Sequence, residues 1–132
     1  MKANELMIGD YVIRKNVQKE ILIIDTIDSI RDIVYLDLDG LGITEKLENI
    51  EPIPLTAEIL EKNGFIKHAD YCWLISENNG RRLIEYRTDY LDGLLRISYA
   101  EEPFSKLMIK VKYVHELQHA LRLCGINKEI EI

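Results

Sequence analysis

The chain lacks most of what would tie it to a specialised class. It has two cysteines, Cys72 and Cys124, and no CxxC pair. That leaves no disulfide framework and no cysteine-built zinc site. One bridge is all the pair allows, and two separate thiols are expected in a domain with a good core. No apolar run approaches the roughly 18 residues of a membrane span. The start, "MKANELMIGD", lacks the apolar stretch of a secretory signal. Positive charge is also short. The formal net charge is −6, whereas nucleic-acid binders draw most of their affinity from cations set against phosphates. No glycine-rich phosphate loop occurs, and no Ser-His-Asp set can be assembled. These absences point to a soluble, cytoplasmic protein without a membrane partner.

What remains is an ordinary globular mix. Of 132 residues, 47% are hydrophobic and 30% charged, enough for one compact domain or two very small ones. Strand-like runs come first: "YVIRK" (11–15), "EILIIDTI" (20–27), "DIVYLDL" (32–38) and "GITEKL" (42–47). Asn16, Asp28-Ser29 and Asp39-Gly40 punctuate them. Such a meander tends to curl, because closure removes exposed edges. Residues 8–52 are therefore predicted to form a small SH3-like β-barrel, within a first subdomain of residues 1–52.

Pro52 and Pro54 stop that sheet and mark the boundary to a second subdomain, 53–132. Thr56 is placed to cap a helix over 56–63, Glu58 lies in its first turn, and Gly64 fits just past its end. An antiparallel meander follows, with strands at about 71–77, 81–88 and 94–99. Asn79-Gly80 and Asp92-Gly93 supply its turns. The repeated "LDGL" at 38–41 and 91–94 is turn chemistry, too short to show duplication. The stretch 101–112 fits an extended segment or the start of the last helix. From about 111 to 124 the helical period is clear, with Val114, Leu117, Leu121 and Cys124 on one stripe. This helix is expected to pack on the second meander. "KEIEI" (128–132) alternates as a last strand would.

The last helix contains His115-Glu116-Leu117-Gln118-His119, the H-E-x-x-H pattern of zinc proteases. There, two histidines one turn apart hold the metal and the glutamate activates its water. Several features oppose that reading here. A third ligand is missing: Arg122 and Gly125 stand where the extended motif has Gly and His, and only Glu129 and Glu131 follow. Lys112 and Arg122 place cations on the same helix face. The histidines lie opposite the apolar stripe, where a solvated face needs no ligand. His115 and His119 are thus carried forward as a motif without an assigned metal or catalytic role.

Other patterns give structural readings. His68, Asp70 and Cys72 alternate, but they read as a loop histidine, a turn aspartate and a buried thiol. "DLDG" (37–40) lacks the acids of a calcium loop and reads as a turn. Tyr71, Trp73, Tyr86, Tyr90 and Tyr99 suit cross-strand packing before base stacking or an interface. Lys106, Lys110 and Lys112, with Arg122 further on, are the densest basic cluster.

Three stretches, "KANELMIGDYV" (2–12), "IEPIPLTAEILEKNGF" (50–65) and "KYVHELQHALRLCG" (112–125), resemble a family of short proteins. Its members occur in Bacteroides-type bacteria, their prophages and other mobile elements, and no activity is assigned to them. The family phrases run N-E-L-x-I-G-[DN]-x-V, then I-P-L-T-E-E-x-L-x-x-x-G-F, then Y-V-H-x-L-Q-N. The last has Gln and Asn where this chain has Glu116 and His119, so the resemblance implies no shared zinc site.

The expectation is an α+β chain without an enzymatic site or cofactor, acting as an accessory or interaction protein of a phage-like or mobile element. A protein partner is expected, with self-association left open. The alternatives are a zinc-dependent hydrolase using His115, Glu116 and His119, and a nucleic-acid-binding module using the barrel or the Lys106–Lys112 face.

Overall fold

The computed structural model describes residues 1–15, 20–77, 79–89 and 93–132, with backbone alone for 102–106. The chain is α+β. The described residues form two five-stranded antiparallel sheets and two α-helices. They divide into two units: Met1–Pro54 with Tyr113–Leu123, and Leu55–Lys112 with Cys124–Ile132.

The sheet of the first unit contains β1 (Tyr11–Arg14), β2 (Ile21–Asp28), β3 (Ile33–Leu38), β4 (Leu41–Lys46) and β5 (Ile50–Pro52). Alternation buries one face: Leu22 and Ile24 of β2, Val34 and Leu36 of β3, Val12 and Ile50, with Leu6 and Leu47 completing the cluster. Each such aliphatic side chain contributes about 1.5–3 kcal/mol on burial. Asp39 and Gly40 both have positive φ, 48° and 86°, between the paired residues Leu38 and Leu41. This is the two-residue turn that matches strand twist.

The strand order is β4-β3-β2-β1-β5, so the ladder is open, with β4 and β5 at its edges. The barrel expected from sequence required closure, which these hydrogen bonds do not make. Curvature is nevertheless present. Arg14 of β1 lies 3.9 Å from Glu45 of β4, although two strands separate them in the order. The Asn49 amide donates to Glu45 at 2.7 Å and holds its carboxyl below the ordinary range.

The second unit has α1 (Ala57–Lys62) and a meander of β6 (Ile66–Ala69), β7 (Cys72–Glu77), β8 (Arg82–Arg87), β9 (Leu94–Tyr99) and β10 (Glu102–Lys110) in simple order. Thr56 caps α1, its hydroxyl accepting the Ile59 N–H at 3.3 Å. Gly64 (φ 87°) ends it, with Gly64 N–H donating to Glu61 and Phe65 N–H to Leu60, the paired bonds of a left-handed helix terminus. Asn79 and Gly80 take the predicted positive φ, 56° and 82°. Asn16 and Asp92 lie outside the described residues. Cys72 and Cys124 are free thiols.

Three expectations needed revision here. The meander has five strands rather than three, because β6 and β10 join its edges. Residues 128–132 form no strand. Ile130 is buried, and the Asn63 amide clasps the Glu131 backbone, donating to its carbonyl at 2.7 Å and accepting its N–H at 2.8 Å. The last helix, α2 (Val114–Leu123), groups with the first unit, whereas the sequence placed it in the second subdomain. Apolar periodicity shows that a helix has a buried face, but does not choose the surface that covers it.

Candidate functional site

The H-E-x-x-H segment lies on α2. Tyr113 precedes the helix, and its N–H donates to Glu116 Oε2 at 3.0 Å. A glutamate in the first turn reaching back in this way satisfies a donor that the helix leaves open. The carboxylate that a protease would use as general base is engaged with the helix terminus.

One turn on, three polar side chains face a single loop. Gln118 Nε2 donates to Gly9 O at 3.1 Å, and its Oε1 accepts from Tyr11 N–H at 3.2 Å. His119 Nε2 lies 2.8 and 3.0 Å from the two Asp10 oxygens. Arg122 Nη1 reaches Asp10 Oδ1 at 3.3 Å. The loop is shaped for this. Gly9 has φ 88°, where an L side chain is strained. A Cβ there would also stand 3.1 Å from Arg122 Nη2. Met7 N–H donates to Asp10 Oδ2 at 2.7 Å. Gly9 N–H donates to Ile24 O, and Ile24 N–H to Asp10 O, so the loop is stitched to β2 as well.

Asp10 is fully buried, at 0% exposure. A carboxylate in that position needs partners for its lone pairs, and the Met7 amide, His119 and Arg122 provide them. The same geometry fixes His119. An ionised carboxylate only accepts, so Nε2 must carry the proton in either protonation state. That nitrogen therefore has no lone pair to offer a metal while the contact stands.

His115 lies one turn before His119. It is buried, at 4% exposure, so the expected solvated histidine face is not observed. Gln118 is buried too. The His115 ring stacks on Tyr113 at 5.9 Å and meets His119 edge-on at 5.5 Å. Burial pushes its pKa below the ordinary value. The Asp10, Glu116 and Glu5 carboxylates work against that shift, and His119 adds to it. Its Nδ1 is buried without a hydrogen-bond partner. The ring borders a cleft of about 360 Å³, lined also by Met1, Glu5, Pro52, Tyr113 and Glu116.

The other motifs do not converge. His68 is exposed on β6. Asp70 is 98% exposed and pairs with Lys67 at 3.2 Å. Cys72 is buried, and burial raises its thiol pKa. Asp37 accepts the Gly40 N–H at 2.8 Å, closing the "DLDG" turn on itself. Trp73 and Tyr86 are core residues 6.4 Å apart, while Tyr71 and Tyr99 carry Arg87 and Arg82 over their rings. Tyr90 lies outside the described residues, as does the Lys106 side chain. Lys110 and Lys112 are exposed. Glu129 and Glu131, the only carboxylates after His119, belong to the second unit. Among the described residues no group of three or more His, Cys, Asp or Glu side chains is arranged to hold a metal. No helix among them is long and apolar enough to cross a membrane.

Sequence reasoning missed Asp10 and Gln118. Gly9-Asp10 reads only as a turn, and Gln118 as one letter between the motif's histidines. The sole signal was that their two phrases, 2–12 and 112–125, stood out together. No family model matches the chain, and no curated protein or solved structure does either.

Proposed function

We propose that the chain is a non-enzymatic interaction protein, an accessory factor of a phage-like or mobile element, whose first unit is a small SH3-like barrel. One observation carries the non-enzymatic part: three of the polar side chains in the H-E-x-x-H segment are already engaged inside the first unit. Glu116 caps its helix, His119 donates to Asp10, and Gln118 clasps the Gly9–Tyr11 backbone. The segment acts as a latch between α2 and the loop that leads into β1. The Arg14–Glu45 contact, which links β1 to β4 across two intervening strands, supports the barrel reading. The resemblance supports the biological setting, since the first and last family phrases meet at this latch.

A zinc hydrolase would have to break the His119–Asp10 contact and admit a cation beside Arg122, whose Nη1 is 3.3 Å from the same carboxylate. The test is elemental analysis of untagged protein, wild type and His119→Ala. The proposal expects no stoichiometric zinc in either and a loss of stability in the variant. About one zinc per chain, lost in His119→Ala, or turnover that depends on His115 or Glu116, would replace it with the hydrolase.

A further inference from the structure

Resting on the interaction reading, we infer that the outer face of the β2–β3–β4 sheet docks a cationic protein segment, one carrying lysine or arginine beside aliphatic side chains. Strand register defines this face. Ile23 stands opposite Asp37, and Asp37 opposite Gly42. Tyr35, two residues before Asp37, pairs with Thr26 on one side and Thr44 on the other. Ile21 lies two residues before Ile23 on the same face. These are the residues that alternation turns away from the core, yet three are large and apolar. Ile21, Ile23 and Tyr35 are 41%, 37% and 37% exposed. Single exposed apolar residues are ordinary, but a row of them on one sheet face marks a contact surface.

Beside the row runs a groove of about 580 Å³, lined by Asp25, Thr26, Tyr35, Leu36, Asp37, Gly40 and Gly42. Its glycines leave open space: a Cβ at Gly40 or Gly42 would meet nothing within 4 Å. Asp25 enters it through the bulge between Ile24 and Thr26.

Charge selects the occupant. Residues 20–51 hold nine carboxylates and two cations, Arg31 and Lys46. Neither cation lines the groove, and Arg31 is 3.8 Å from Asp28. Among the described residues Asp25 and Asp37 make no ion pair. An unpaired acidic rim around an apolar row attracts basic partners and repels nucleic acid and acidic ones. Tyr35 adds a ring face on which a cation can rest.

The probe is a fluorescent peptide of alternating lysine and valine, titrated with full-length protein at low salt and followed by anisotropy. A glutamate–valine peptide and oligothymidylate serve as counter-probes. Binding of the lysine peptide is expected. It should weaken about fivefold in D25N/D37N, which removes two rim charges, and by a similar factor in I23S. Amide shifts in the wild type should centre on residues 23, 35 and 42, a readout that does not depend on any variant folding. No binding, equal binding by wild type and variants, preference for a counter-probe, or self-association through this face would overturn the inference. None of these outcomes bears on zinc or turnover, so the interaction reading stands or falls separately on His119→Ala.

Discussion

Asp10→Ala isolates the latch. The carboxylate is fully buried and holds the Met7 N–H, the His119 ring and the Arg122 guanidinium. The three contacts are unequal. The Met7 N–H makes a part-buried bond, worth about 1 kcal/mol. The Arg122 side chain is 38% exposed, and solvent reduces its pair to less than about 1 kcal/mol. His119, at 21% exposure, makes a charge-assisted bond of about 1.5–3 kcal/mol. The removed carboxylate also recovers some desolvation energy. The net loss is about 2–3 kcal/mol. Urea unfolding followed by far-ultraviolet circular dichroism, to which both sheets contribute, measures it. His119→Ala should cost a comparable amount, because it strips a buried carboxylate of a donor. The double variant should then lose at least about 1 kcal/mol less than the two single losses combined. A change below about 0.5 kcal/mol in Asp10→Ala, or strict additivity with His119→Ala, would refute the latch.

Two further predictions concern other parts of the molecule. His115 has its pKa lowered from 6.5, chiefly by burial, so below about pH 6.5 the unfolded chain takes up a proton that the folded chain resists. Its stability is whole above that value and declines as pH falls through the folded pKa. His115→Phe, which keeps the stack on Tyr113, should flatten the decline measured between about pH 7.5 and pH 5, and an unchanged slope would show that His115 does not cause it. Gly93→Ala should destabilise by several kcal/mol, on the order of a strained, clashing core substitution. Gly93 has φ 122°, and a Cβ there would overlap Val111 O and stand 2.6 Å from Tyr86 Oη. A midpoint within about 2 °C of wild type would contradict that packing.

Local chemistry made much of the fold legible. Thr56 and Gly64 bracket α1 because capping needs only nearby atoms. Asp39-Gly40 and Asn79-Gly80 turn the chain because their backbone tolerates positive φ. Alternation sorts Leu22 and Ile24 inward for the same local reason. The edges were harder. β6 carries one large apolar residue, Ile66, and that residue is 74% exposed, so no hydrophobic pattern announces the strand. The tail around Glu131 is fixed by an amide 68 residues earlier in the chain. The candidate site failed for a related reason. The helix face with His115 and His119 looked solvated because its covering partners, Gly9 and Asp10, are 109 residues away from Gln118 and His119. A buried carboxylate is invisible in sequence, since composition treats every aspartate as surface until a specific histidine and arginine are placed beside it.

The interleaving of the two units has a consequence for synthesis. The first unit is made of Met1–Pro54 and Tyr113–Leu123, with Leu55–Lys112 threaded between. A ribosome therefore delivers the sheet long before the helix that latches it. Until residue 123 leaves the exit tunnel, Asp10 has neither His119 nor Arg122, and the Gly9–Tyr11 backbone lacks Gln118. The emerging sheet waits with its entry loop held by its bonds to β2 alone while the whole second meander is translated. Long-range closures of this kind fold late and leave intermediates exposed. Any truncation between residues 54 and 113 leaves a nascent chain that can pair its strands but cannot finish the first unit.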